Sequence, residues 1–278
     1  MKLAWFHYVA ESIEEYTQHG FAKGGGGAWY GEESQIPDRE TAERMAERGW
    51  PEGVERARRL QMILSEPLQT LGLTGLMEEE ELDVTGASVD VGLFCEGEPE
   101  CMVDFIEQDA PRSRVVKLYV QINCLASVQP ETIMRRGVAI AAIVDALEER
   151  GLQIELWAVD CTNTWGTPPE TGDRDHLLRM ACMVKEAGQP LPLDRIAFAL
   201  GHPGFYRAIS FANRSRIAGA QGGTTVTLPK DIREPGELVL PNLVPSDNRK
   251  FASDEDAAVW AADLFTQLVE TARQETSA

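Results

Sequence analysis

The stretch "SRVVKLYVQINCLASVQPETIMRRGVAIAAIVDALEERGLQIELWAVDCTN", Ser113–Asn163, decides the fold. Its opening run of Val, Leu, Tyr and Ile reads as a buried strand. Pro130 then stands near the first helical position with Glu131 in the first turn, which suits a helix start. Ile133, Val138, Ile140, Ala141, Val144 and Leu147 form the inner side of that helix, and Gly151 stops it. "LQIELWAVDCTN" is a second buried strand. A strand, a helix of about twenty residues and a strand predict a right-handed crossover between parallel strands.

Beyond this unit, "HLLRMACMVKEAG" sets Leu178, Met180, Cys182 and Val184 against Arg179, Met183 and Lys185. That alternation predicts a half-buried antiparallel strand at a sheet edge. "LPLDRIAFALGHPGFYRAISFANRS" predicts two short helices broken at Gly201–His202–Pro203. "GELVLPNL" is another strand, and Ser253 or Asp254 caps a C-terminal amphipathic helix. On the N-terminal side, "MKLAWFHYVA" is a short apolar stretch. Ser12 with Glu15 makes a capping box, Asp38 caps a second helix ended by Gly49, and Pro51 opens a third. The region 78–110 carries short β-type pieces broken by glycines. The expected division is a mostly helical region over 1–110 with a glycine-rich loop, and an α/β domain over 111–278.

The order strand, long helix, strand, antiparallel strand, helices, strand, helix over Arg114–Ala272 resembles the von Willebrand factor A-type domain. The resemblance implies a Rossmann-like, mostly parallel sheet flanked by helices, with the helical N-terminal region as an extension. It also implies a metal site at the end of the first strand, built as D-x-S-x-S. Here that place reads "NCLAS": Asn123 replaces the Asp, Leu125 the first Ser, and Ser127 keeps the second. Asn and Leu lack the negative charge and the hydroxyl that a hard cation such as Mg²⁺ needs. The site is degenerate, and no metal or cofactor is expected. The whole chain further resembles an uncharacterised group of bacteriophage-encoded proteins, through "AWYGEES", "AERGWPEG", "DVTGASVDVGLFCEGEPECMVDF" and "LDRIAFALGHPGF". That likeness implies a phage origin and carries no activity with it.

The chain of 278 residues has a net charge of −19, which disfavours broad binding of nucleic acid. An acidic nucleic-acid mimic remains an alternative. The five cysteines are odd in number and include no C-x-x-C, pointing to a reducing compartment. No window approaches the roughly 18 consecutive apolar residues of a membrane span. A cytoplasmic protein is expected, in the bacterial host cytosol or with the virion.

The loop "GFAKGGGGAWYGEES", Gly20–Ser34, is not a P-loop. Its lysine precedes the glycines and no Gly-Lys-Ser/Thr follows. It reads as a permissive turn that positions Trp29 and Tyr30 beside Trp50, in a hydrophobic seam or as contacts for a partner protein. A ligand crevice at the strand ends draws on Asn123, Ser127, Asp160, Thr162 and His202. His202 with Asp160 or Cys124 is a candidate pair. Arg135 and Arg136 sit near a helix start, where they oppose the dipole and call for an internal partner or a ligand. Arg214 and Arg216 are expected in a glycine-rich loop open to polar or anionic contacts. The leading expectation is a non-enzymatic interaction or structural protein acting through protein–protein contacts. The alternative is an enzyme or small-ligand binder using the strand-end crevice.

Overall fold

The computed structural model describes residues 5–19, 36–70, 79–85, 88–89, 91–106, 115–148, 152–165, 175–190, 192–218, 222–227 and 238–274. Trp29, Tyr30 and the four glycines lie outside the described residues.

The crossover unit forms as its pattern requires. Strand β5 (Val115–Gln121) leads into helix α5 (Pro130–Glu148) and on to strand β6 (Gln153–Trp165). β5 and β6 pair in parallel, Val115 opposite Gln153 through Gln121 opposite Val159. Strand β7 (Asp175–Lys185) runs antiparallel to β6. It is not an edge strand: the apolar start of the chain, β1 (Trp5–Ala10), pairs with it in parallel from Trp5–Leu177 to Ala10–Cys182. Nor is it half-buried: Arg179, Ala181 and Lys185 on its polar-looking face are covered as fully as Leu178, Met180 and Cys182 on the other. On the far side β9 (Leu238–Leu240) pairs in parallel with β5. The sheet order is β1-β7-β6-β5-β9, and β8 (Gly222–Thr225) pairs antiparallel with β6 beyond the end of β5. The protein is thus α/β, with a mostly parallel sheet flanked by helices.

Even-numbered residues of the sheet meet the helices. Val116, Leu118, Val120, Ile154, Leu156 and Ala158 join one core with Ile140, Ile143, Val144 and Leu147 of α5. α5 packs between the sheet, α6 (Leu193–Gly201), α9 (Asp254–Gln274) and α3 (Pro51–Thr70). Helices α1 (Ile13–His19) and α2 (Arg39–Arg48) continue this layer beside α6 and α7 (Phe211–Ala218). Ile13, Tyr16, Ala46, Trp50 and Leu60 belong to the same core. Residues from both sides of the expected 110/111 division therefore share one hydrophobic interior. Odd-numbered Tyr119, Val159 and Ala181 make a smaller cluster on the other face, where Tyr119 and Trp157 stack with ring centres 5.9 Å apart. A separate three-stranded sheet comprises β2 (Glu79–Asp83), β3 (Ser88–Val89) and β4 (Met102–Ile106), with the short helix α4 (Val91–Glu96).

The helix starts legible in the sequence are built, with one shift: the Glu15 carboxylate accepts the Glu11 N–H at 2.8 Å in place of the Ser12 N–H of a full capping box. Ser12 Oγ accepts the Glu15 N–H at 3.1 Å, and Asp38 Oδ1 accepts the Thr41 N–H at 2.7 Å. Ser253 and Asp256 bond reciprocally at the start of α9. These bonds satisfy donors that the first helical turn leaves open.

Candidate functional site at the strand ends

Asp160 shares the parity of Ile154, Leu156 and Ala158, so its carboxylate points under the helices. A buried carboxylate needs compensation in place of water. A π-helix at Phe205–Ser210, running straight into α7, supplies it. Tyr206, Ser210 and Arg214 recur every four residues along that helical run. Arg214 Nε lies 2.7 Å from Asp160 Oδ2, and Arg214 Nη2 lies 2.8 Å from Oδ1. Ser210 Oγ donates to Oδ2 at 2.6 Å and Thr162 Oγ1 to Oδ1 at 2.9 Å. Because Ser210 spends its proton on Asp160, it accepts from Tyr16 Oη, 2.8 Å away. Arg214 also donates to Tyr206 Oη at 2.9 Å and lies over the Tyr206 and Phe211 rings. Burial works against the Arg214 charge, but Asp160 and then Tyr206 outweigh it and raise its pKa. Arg214 therefore sits in a helix, engaged inside the protein, and not in an open glycine-rich loop.

Asn123 is likewise engaged. β5 leaves β6 after Ile122, whose N–H bonds Val159 O at 2.8 Å, and Cys124 then bridges to Leu243 beyond β9. The splay is closed by side-chain amides. Asn123 Nδ2 donates to Cys161 O at 2.6 Å, and Gln121 Nε2 donates to Val226 O at 3.0 Å and to Asn123 Oδ1 at 3.3 Å. Among the described residues, no group of three or more His, Cys, Asp or Glu could hold a metal ion.

The structure thus brings Asn123, Asp160 and Thr162 together where β5 ends beside the continuing β6. It does not bring His202 to them. The His202 ring packs edge-on to Trp50 at 5.0 Å and lies 5.7 Å from Phe198, while its Nδ1 accepts the Gly204 N–H at 3.1 Å. Burial pushes its pKa down to about 4. Ser127 is exposed, and its carbonyl accepts from Asn248 Nδ2 at 3.0 Å. Trp50 is 8% exposed and belongs to the main core. Its ring packs in the interior.

An open space lies on the other side of β5. The connection from β5 through α5 leads to β6, whereas β9 lies on the opposite flank, so the strand order reverses between β5 and β9. Open α/β sheets bind ligands at such reversals, outside the carboxyl ends of the strands. Arg136 of α5 sits there, 5% exposed. Its Nη1 donates to Gln121 O at 2.8 Å, the last carbonyl of β5, and its Nη2 to Pro241 O at 2.6 Å, just past the end of β9. Burial lowers its pKa to about 10, with Asp247 opposing. Arg136 lines a cavity of about 270 Å³. The other walls are Asn242, then Asp247 and Lys250 of α8 (Asp247–Lys250), then Trp260, Asp263, Leu264 and Gln267 on one face of α9. The sequence flagged Arg136 by its misplacement against the helix dipole. Its companion Arg135 resolves the same conflict on Asp254, at 3.1 Å, and on Phe251 O, at 2.9 Å. The Asp160 lock had a weaker signal, the four-residue spacing of Tyr206, Ser210 and Arg214.

The model of a family described as a domain of unknown function (DUF7192) matches residues 5–266. The chain belongs to that family. The match runs from β1 into α9, so the Asp160 lock and nearly all of the Arg136 cavity lie inside the family's domain, with only Gln267 at the rim beyond the matched residues. No curated protein and no solved structure matches the chain.

Proposed function

We propose that this member of the DUF7192 family is a small-ligand-binding protein whose site is the crevice between the carboxyl ends of β5 and β9, in a von Willebrand A-like body. The observation that carries the reading is Arg136: a buried cation with neutral carbonyl partners, lining a cavity at the reversal of strand order. The element order β5-α5-β6-β7-α6-α7-β9-α9 supports the likeness to the von Willebrand A-type domain. Binding without chemistry is the simpler reading of the neighbouring Asp160, whose two oxygens already accept four hydrogen bonds. Neither oxygen is left open to contact a substrate. Ligand-observed NMR with a mixture of organic acids and amino acids tests the proposal. Saturable binding is expected, and Gln267→Trp, a plug at an exposed position on the rim, removes it at unchanged melting temperature. No binding by the wild-type protein overturns it.

A second reading, action through protein contacts, is favoured by Val84, Val91 and Phe94, which are 60%, 67% and 65% exposed within one short segment. Phe94→Asp then leaves thermal stability unchanged and abolishes capture of a partner protein from host cells. Unchanged capture removes this reading.

A further inference from the structure

We propose that the cavity takes a small zwitterion of the α-amino-acid type, with its carboxylate on Arg136, its ammonium group toward Asp263, and an apolar side chain between Trp260 and Leu264. This rests on the ligand-binding reading and specifies the ligand's class.

The charges of the cavity lead there. Four ionised side chains line it: Arg136, Asp247, Lys250 and Asp263. Lys250 Nζ pairs with Asp247 Oδ1 at 2.9 Å, and the other Asp247 oxygen accepts the Val244 N–H at 2.8 Å. That pair cancels itself. Arg136 is left with carbonyl partners only, and Asp263 has no hydrogen-bond or ion-pair partner among the described residues. One cation and one anion thus face the same space without meeting each other. A simple carboxylate answers the buried Arg136 alone, whereas the exposed Asp263 adds a charge-assisted contact only for a ligand that also carries a cation. A zwitterion answers both.

Polar detail and size agree. Asn242 Oδ1 is taken by Thr227 Oγ1 at 2.6 Å, so its amide N–H₂ remains a donor beside Arg136 for a second carboxylate oxygen. A volume of about 270 Å³ lies at the small end of ligand sites and suits an amino acid better than a nucleotide. The net charge of −19 repels polyanions from the crevice and is indifferent to a zwitterion. Trp260 and Leu264 offer apolar surface one helical turn apart on α9.

Isothermal titration of the full chain with three probes of matched skeleton decides the matter: L-leucine, 4-methylpentanoate, which lacks the amine, and 3-methylbutylamine, which lacks the carboxylate. Leucine is expected to bind at least about tenfold more tightly than either, because each of the others forgoes a charge-assisted hydrogen bond at one end. Asp263→Asn, at an exposed helix position, reduces leucine to the affinity of 4-methylpentanoate and leaves the latter unchanged. Arg136→Met removes both. Equal affinity of leucine and 4-methylpentanoate for the wild type overturns the zwitterion and leaves an anion-binding crevice standing. Silence of all three probes while another organic acid binds also overturns the zwitterion alone. Silence of every organic acid and amino acid overturns the ligand-binding reading with it.

Discussion

Asp160 and Arg214 meet in the interior with two parallel hydrogen bonds, Nε to Oδ2 at 2.7 Å and Nη2 to Oδ1 at 2.8 Å. Their side chains are 0% and 5% exposed. The pair fastens the middle of β6 to the helical run that carries Tyr206 and Ser210. Removing one partner leaves the other charge buried without compensation. Arg214→Met is therefore expected to lose about 3–5 kcal/mol in urea unfolding. The double variant Asp160→Leu with Arg214→Met is expected to lose less than the sum of the two single changes. Strict additivity would show that the two groups do not depend on each other.

A tighter constraint lies where α5 crosses α6. A Cβ built on Gly137 would stand 2.3 Å from Gly201 Cα and 2.3 Å from Leu200 C. Helix propensity alone favours Ala over Gly by about 1 kcal/mol. The backbone contact reverses that sign, and Gly137→Ala is expected to destabilise by about 1–3 kcal/mol. Thermal unfolding checks it. A variant as stable as the parent would mean that α5 and α6 can part without loss.

Both constraints show where the sequence is legible and where it falls silent. The crossover β5-α5-β6 was readable because its apolar periods and its stops are local. So were the caps at Ser12, Asp38 and Ser253, each set by residues three apart. The place of β1 was not, because its partner Leu177–Cys182 lies some 170 positions away and nothing in "WFHYVA" names it. The oxygens of Asp160 and the amide of Asn123 looked free for a ligand. Their actual partners, Arg214, Ser210, Cys161 O and Val226 O, come from segments that only the fold brings near. Arg136 was flagged by its conflict with the helix dipole, but the cavity beside it depends on the distant α8 and α9.

His202 makes stability depend on pH. Its ring is held neutral in the fold, with a pKa of about 4 against an ordinary 6.5. Between those values the unfolded chain takes up a proton that the folded one refuses. Stability is then complete above pH 6.5 and falls as the pH drops toward 4. Because the ring is only partly withdrawn from solvent, the expected loss is about 1–2 kcal/mol. His202→Asn keeps an acceptor for the Gly204 N–H and cannot titrate. Melting temperatures from pH 4 to 7 should fall less steeply for this variant, and identical slopes would assign the pH dependence to other groups.

Trp50 separates packing from partner contact. Its ring fills the space beside Gly53, Gly201 and His202. Trp50→Ala is expected to cost about 3–5 kcal/mol, as for other large buried aromatics. A variant that melts with the parent would return Trp50 to the surface role its neighbours in the sequence suggested.

Asn248 ties the wall of the Arg136 cavity to α5. Its Oδ1 accepts the Gln129 N–H at 3.0 Å and Thr132 Oγ1 at 2.8 Å, while its Nδ2 donates to Ser127 O. A residue of α8 thus caps, from 119 positions away, a helix that begins at Pro130. Asn248→Ala leaves those donors without their acceptor and is expected to destabilise by about 1–2 kcal/mol, the usual loss at an N-cap. Asn248→Asp keeps the acceptor and adds a negative charge where the helix dipole favours it. It loses only the exposed bond to Ser127 and should stay within about 0.5 kcal/mol of the parent. Denaturant unfolding of both variants gives the order parent, Asp, Ala. Equal losses for Asp and Ala would show that the donated bond to Ser127, and not the cap on α5, is what holds α8 in place.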